Sequence, residues 1–112
     1  MNWQPYDEGK TIGQTGREGG LIILDEEYAG ATRIVLEEHC LRAPYAINAT
    51  VYGYLLHTRF LADDETAQYA IHDMKAALAT IADLMPAEND PDEADRLDQM
   101  NTKIEAFARD FP

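Results

Sequence analysis

The densest group of side chains able to do chemistry lies at 52–60, YGYLLHTRF, which carries Tyr52, His57 and Arg59. Histidine takes up and releases a proton near neutral pH, and an arginine beside it can hold an anion. Residues two apart in extended backbone share a face, so His57 and Arg59 point the same way in a strand. A second group, EEHC at 37–40, offers Glu37, His39 and Cys40. Glu37 and His39 again share a strand face, while Cys40 points to the other. Glu37, His39 and His57 on neighbouring strands would make a three-ligand metal site with an open position. The same residues would serve general-base chemistry, with Tyr52 or Glu37 assisting His57.

Their spacing demands neither outcome. The chain has no serine, which excludes a serine nucleophile. Cys40 has no activating motif around it and reads as a small buried apolar group. Gly9-Lys10-Thr11 matches the end of a phosphate-binding loop, but no glycine stands where that loop needs its first one. GQTGREGG at 13–20 spaces its glycines like a nucleic-acid clamp. That clamp joins helices on a basic module, so a flexible loop is the reading here. His72 falls on the polar side of a predicted helix. The acidic run ENDPDEADRLD at 88–98 reads as a helix start with acid at the favourable dipole end.

Whatever chemistry these residues do, the fold must hold them. The 112 residues suit one domain over 1–112. Aspartate and glutamate number 21 against 9 lysines and arginines, for a formal charge of −12. That balance excludes nucleic acid, whose phosphates need a basic footprint, and argues against an anionic membrane surface. A basic protein partner stays open. A single cysteine allows no intrachain disulfide and fits a reducing compartment. MNWQPYDEGK lacks the basic and apolar regions of a secretory signal, and the longest run of large apolar residues is Leu21–Leu24. The expectation is a soluble, cytoplasmic protein with no cofactor.

Residues 1–20 hold five of the seven glycines and no apolar period. They read as a glycine-rich arm, pinned to the body by Trp3 and Tyr6. Residues 21–61 read as a β-meander. LIILDEEY and ATRIVLEEH form a hairpin around Ala29-Gly30, and Pro44 breaks the pairing before YAINATVYGYLLHTRFL. At about 3.3 Å per residue, that last stretch overruns a small domain and must bend or break. A helix over 63–85 follows, capped by Asp63 or Asp64. Its apolar stripe is Ala67, Ile71, Met74, Leu78, Ile81 and Met85, and Pro86 ends it. A five-residue connection leads to a second helix over 91–110, with Asp90 as N-cap, Pro91 at N1 and Glu93 at N3. Its stripe is Leu97, Met100, Ile104, Phe107 and Phe111.

Neither face of a flat 47–60 strand is consistently apolar. A bulge at Gly53 repairs this, placing Ile47, Ala49, Val51, Tyr54, Leu56 and Phe60 in the core. Tyr52, His57 and Arg59 then join Arg33, Glu37 and His39 on the opposite face. Two residues of Leu21–Leu24 also point away from the helices, beside Val35 and Leu55. That apolar patch calls for a cover, either the arm or a second copy.

The sequence thus predicts an α+β fold: an antiparallel three- to four-stranded β-meander followed by two C-terminal helices packed on one sheet face. Its leading functional reading is a small non-enzymatic interaction or regulatory domain, homodimeric, acting through its outer sheet face. The candidate binding surface is Tyr52, His57, Arg59, Arg33, Glu37 and His39. Two alternatives stand beside it. One is an enzyme or metal site on His57, His39 and Glu37. The other is an acidic inhibitor or immunity-type protein that binds a basic partner.

Overall fold

Alternation of apolar and polar residues builds the sheet. The computed structural model describes residues 2–112. Five strands run antiparallel in sequence order: β1 (Trp3–Pro5), β2 (Leu21–Tyr28), β3 (Thr32–Glu38), β4 (Tyr45–Val51) and β5 (Leu55–Leu61). Helices α1 (Asp64–Asp83) and α2 (Glu93–Asp110) complete the chain. The α+β class is therefore as expected, with five strands rather than three or four. The added strand lies in the arm, where three residues are too few for any periodicity to register.

Ile34 and Leu36 on β3 pair with Ala49 and Ile47 on β4, and all four are buried beneath α1. The α1 stripe answers them with Ala67, Ile71, Met74, Leu78 and Ile81, all buried. Alanines at 49, 67 and 70 let helix and sheet approach closely, while each fully buried large side chain contributes about 1.5–3 kcal/mol. α2 packs chiefly against α1 and reaches β5 through its C-terminal end, where Phe107 is buried and Phe111 half-buried. Asp63 caps α1, its Oδ1 accepting the Thr66 N–H at 2.8 Å.

Four details differ from the sequence reading. First, Gly53 marks a reversal and not a bulge. Tyr52–Tyr54 form a three-residue hairpin loop, closed by the Tyr54 N–H to the Val51 carbonyl at 2.9 Å. Gly53 sits at φ +84°, a conformation glycine adopts without penalty. A hairpin pairs Val51 with Leu55, so Leu55, His57, Arg59 and Leu61 share the helix-side face of Val51, Ala49 and Ile47. Tyr54 drops out of the ladder, and Leu56, Thr58 and Phe60 turn outward. The face expected for 54–60 is inverted.

Second, the sheet does contain a bulge, but at Ile23. The register shifts between Ile22, paired with Glu37, and Leu24, paired with Leu36. The extra residue sends Ile22 to the outer face and Leu24 to the core, which resolves the crowding of Leu21–Leu24. The expected patch with Val35 and Leu55 does not form, because Leu55 packs on the helix side.

Third, α2 starts at Glu93 and not at 91. Asp90 accepts the Glu93 N–H through its carbonyl at 3.2 Å, closing a turn with Pro91 at its second position, where the fixed φ of proline fits. The Asp90 carboxylate takes the Asp92 N–H at 2.8 Å and Arg96 Nε at 3.0 Å instead of capping the helix. The connection correspondingly lengthens to 84–92.

Fourth, the arm is ordered against the sheet. β1 pairs with the end of β2, where the Trp3 ring lies 5.6 Å from that of Tyr28. Residues 6–20 then fold over the outer face of β2 and β3. The Tyr6 ring lies 3.6 Å from the Arg33 guanidinium, the Thr11 hydroxyl donates to Asp25 Oδ2 at 2.8 Å, and Gly13 and Gln14 bond the backbone of Ile22.

Candidate interaction face

The outer sheet face divides into a covered half and an uncovered half. Glu37 anchors the cover. Its side chain is completely buried, yet it remains well supplied with donors. The Glu18 N–H reaches Oε1 at 3.1 Å and Oε2 at 3.2 Å, the Gly20 N–H donates to Oε1 at 3.0 Å, and Asn48 Nδ2 donates to Oε2 at 3.3 Å. Buried charge is costly unless such donors replace water. The cradle also explains its glycine. A β-carbon on Gly16 would sit 2.3 Å from the Glu37 carboxyl carbon. The stretch read from sequence as a flexible loop is a carboxylate cradle.

Arg33 and Asp25 make the second anchor. Arg33 Nε and Nη2 bind Asp25 Oδ1 and Oδ2 at 2.8 and 2.6 Å, with Tyr6 stacked above. The hydrogen bond to Asp25 raises the guanidinium's pKa further. Tyr52, in the β4–β5 loop, donates to Glu27 Oε2 at 2.5 Å. Partial burial, and then this bond, push its phenol above the usual tyrosine range. A phenol raised in the folded state binds more protons there than in the unfolded chain above about pH 10, so stability falls as pH rises through that region. Tyr52→Phe is expected to flatten this alkaline loss, as measured by urea unfolding between about pH 9 and 11. An unchanged slope would remove the Tyr52–Glu27 bond from the account.

The six residues singled out by sequence are not gathered into one site: Arg33 lies near Tyr52 and lines one cavity with Glu37, while His57 and Arg59 lie on the other face. Arg33 and Glu37 lie on the outer face, bound to the arm and its neighbours. His39 follows β3 at φ 55° with its ring exposed. His57 faces the helices, its Nε2–H donating to the Phe111 carbonyl at 2.5 Å and its ring edge-on to Phe107 at 5.9 Å. Arg59 lies beside it, 5.7 Å from the Phe111 ring. The sheet therefore separates His57 from Glu37, and the metal triad Glu37–His39–His57 is not assembled. Among the described residues no three His, Cys, Asp or Glu side chains form a metal-holding group. The Cys40 thiol is pushed up by burial and then by Glu37 and Glu18, which leaves it less nucleophilic.

The uncovered part is β5 and the loop before it; of the outward residues of β4, Ala46 and Asn48 are buried and Thr50 half-buried. Here the cross-strand pairs Thr50–Leu56, Asn48–Thr58 and Ala46–Phe60 face outward. The Thr58 hydroxyl donates to Asn48 Oδ1 at 2.6 Å. Leu56 is 54% exposed, Tyr54 47% and Phe60 42%. A small cavity of about 140 Å³, lined in part by Arg17, Glu37, Asn48 and Leu56, marks the seam with the arm. Tyr54, Leu56 and Phe60 were assigned to the core from sequence. The available signal was the excess length of 45–61, which a hairpin at Gly53 satisfies as well as a bulge does.

Charge follows the same division. Eight of the 21 carboxylates precede His39 and thirteen follow Ala62; between them there is none. Both β4 and β5 lie inside this acid-free segment. No protein-family model matches the chain, and comparison with curated proteins and with solved structures finds no match. No helix among the described residues is long and apolar enough to cross a membrane.

Proposed function

We propose that this chain is a non-enzymatic interaction domain that binds protein through the β5 margin of its outer sheet face, where Leu56 and Phe60 are exposed, with a second copy of itself as the occupant. One observation carries the reading: in a strongly acidic chain, the one half-face without carboxylates is also the one that exposes Tyr54, Leu56 and Phe60. Exposed apolar surface ringed by polar groups marks interaction sites, and freedom from like charge lets an equally acidic partner approach. The catalytic alternative lacks comparable support, because His57 and Glu37 face opposite sides of the sheet. A basic partner would instead suit the helical layer, where most carboxylates lie.

A photoreactive phenylalanine analogue at position 60, compared with one at the exposed Tyr69 on α1, tests this in producing cells. Protein adducts are expected from position 60 and none from position 69. The absence of an adduct at position 60 overturns the proposal. Adducts from position 69 alone, weakening with salt, would turn the reading to the basic-partner alternative.

A further inference from the structure

Resting on that interaction-face reading, we infer that two copies join edge to edge through β5, in an antiparallel register centred on Thr58. The sheet has two unlike edges. β1 is three residues long and ends in Pro5, both of which blunt an edge. β5 runs seven residues without proline, glycine, lysine or bulge. Among the described residues no backbone group other than those of β4 bonds to it. Such an edge presents a row of free N–H and C=O groups, which a second strand satisfies.

The sequence of β5 is self-complementary in this register. A twofold axis perpendicular to the sheet at Thr58 pairs Thr58 with its own copy. It sets Leu56 against the partner's Phe60, and Phe60 against the partner's Leu56, on the outer face. On the helix side Leu55 meets the partner's Leu61, and His57 meets the partner's Arg59. Every residue of the strand is paired, and outer face continues into outer face. Centring one residue later places Arg59 against its own copy, which opposes like charges. Centring one residue earlier sets Leu56 against Thr58 and Phe60 against Tyr54, which lies beyond the strand's own span. Charge favours the same edge, since two chains at −12 repel wherever carboxylates meet and β4 and β5 carry none.

Cysteine scanning with mass measurement tests the inference. The purified protein is expected to sediment at twice 12.6 kDa in the micromolar range and to dissociate on dilution. In a Cys40→Ala background, oxidation of Thr58→Cys is expected to give a disulfide-linked dimer, because paired β-carbons in such a ladder lie about 4.5–5.5 Å apart. Leu56→Cys alone should not self-link, whereas Leu56→Cys mixed with Phe60→Cys should. If Thr58→Cys fails to fold without its bond to Asn48, the 56–60 pair reads the register by itself. A monomeric mass throughout, or self-linking at 56 but not at 58, overturns the inference. A monomer whose position-60 probe still captures another protein overturns the second copy but retains the interaction face. No adduct and no dimer overturn both.

Discussion

Glu37→Ala is expected to destabilise the protein by about 3–5 kcal/mol and to release the arm from the sheet. The wild-type carboxylate is fully buried and engages the Glu18 and Gly20 N–H groups and the Asn48 amide. Alanine leaves these donors directed at an emptied site. Each unpaired buried donor costs about 1–3 kcal/mol, less what entering water recovers. Glu37→Gln keeps the shape but turns an amide N–H₂ toward groups that also donate, so a smaller loss of about 1–3 kcal/mol is expected. Urea unfolding measures both. Trypsin supplies an independent readout, since Arg17 lies in the arm between the two cradle segments and should be cut faster in the variant. A stability change within about 0.5 kcal/mol, with unaltered cleavage at Arg17, would show that the cradle holds nothing.

Asp25→Ala is the second large effect, at about 2–4 kcal/mol. It leaves the Arg33 guanidinium beneath Tyr6 without its bidentate partner and strips the Thr11 hydroxyl of its acceptor. Breaking a fully buried ion pair costs about 3–5 kcal/mol, but the Arg33 side chain is 28% exposed, so water and the neighbouring Glu27 recover part of it. Replacing the pair together, as Asp25→Leu with Arg33→Met, should cost less than the single change, because no uncompensated charge is left behind. The comparison is made by chemical unfolding of the two variants. A double variant as unstable as Asp25→Ala would mean that shape at this site, and not charge pairing, carries the stability.

Local signals in the sequence were reliable where the physics is local. The α1 stripe from Ala67 to Ile81 and the Asp63 cap depend on residues three or four positions apart, and both are present as read. The Pro91 signal was also local, but two local structures compete for an Asp-Pro pair: a helix start and a β-turn. The turn at Asp90–Glu93 prevailed, and the helix began two residues later. At Gly53 the ambiguity was sharper. Bulge and hairpin both need a glycine between apolar runs, and they assign the following strand to opposite faces. Only the pairing of Val51 with Leu55 decides between them. That one choice moved His57 and Arg59 to the helix side and exposed Leu56 and Phe60.

Composition and periodicity by themselves determined the α+β class, the two amphipathic helices, the meander and the strongly acidic character with its carboxylate-free middle. These follow from short-range spacing and from counting. Tertiary structure alone decided that the glycine-rich arm cradles Glu37, that Asp25 and Arg33 lie beneath it, and which half of the outer face stays uncovered. Those outcomes join residues from 8 positions apart, Asp25 and Arg33, to 27 apart, Tyr6 and Arg33, and contacts at such separations leave no period in the chain. They arise only when the strands have paired and the arm has folded back across them.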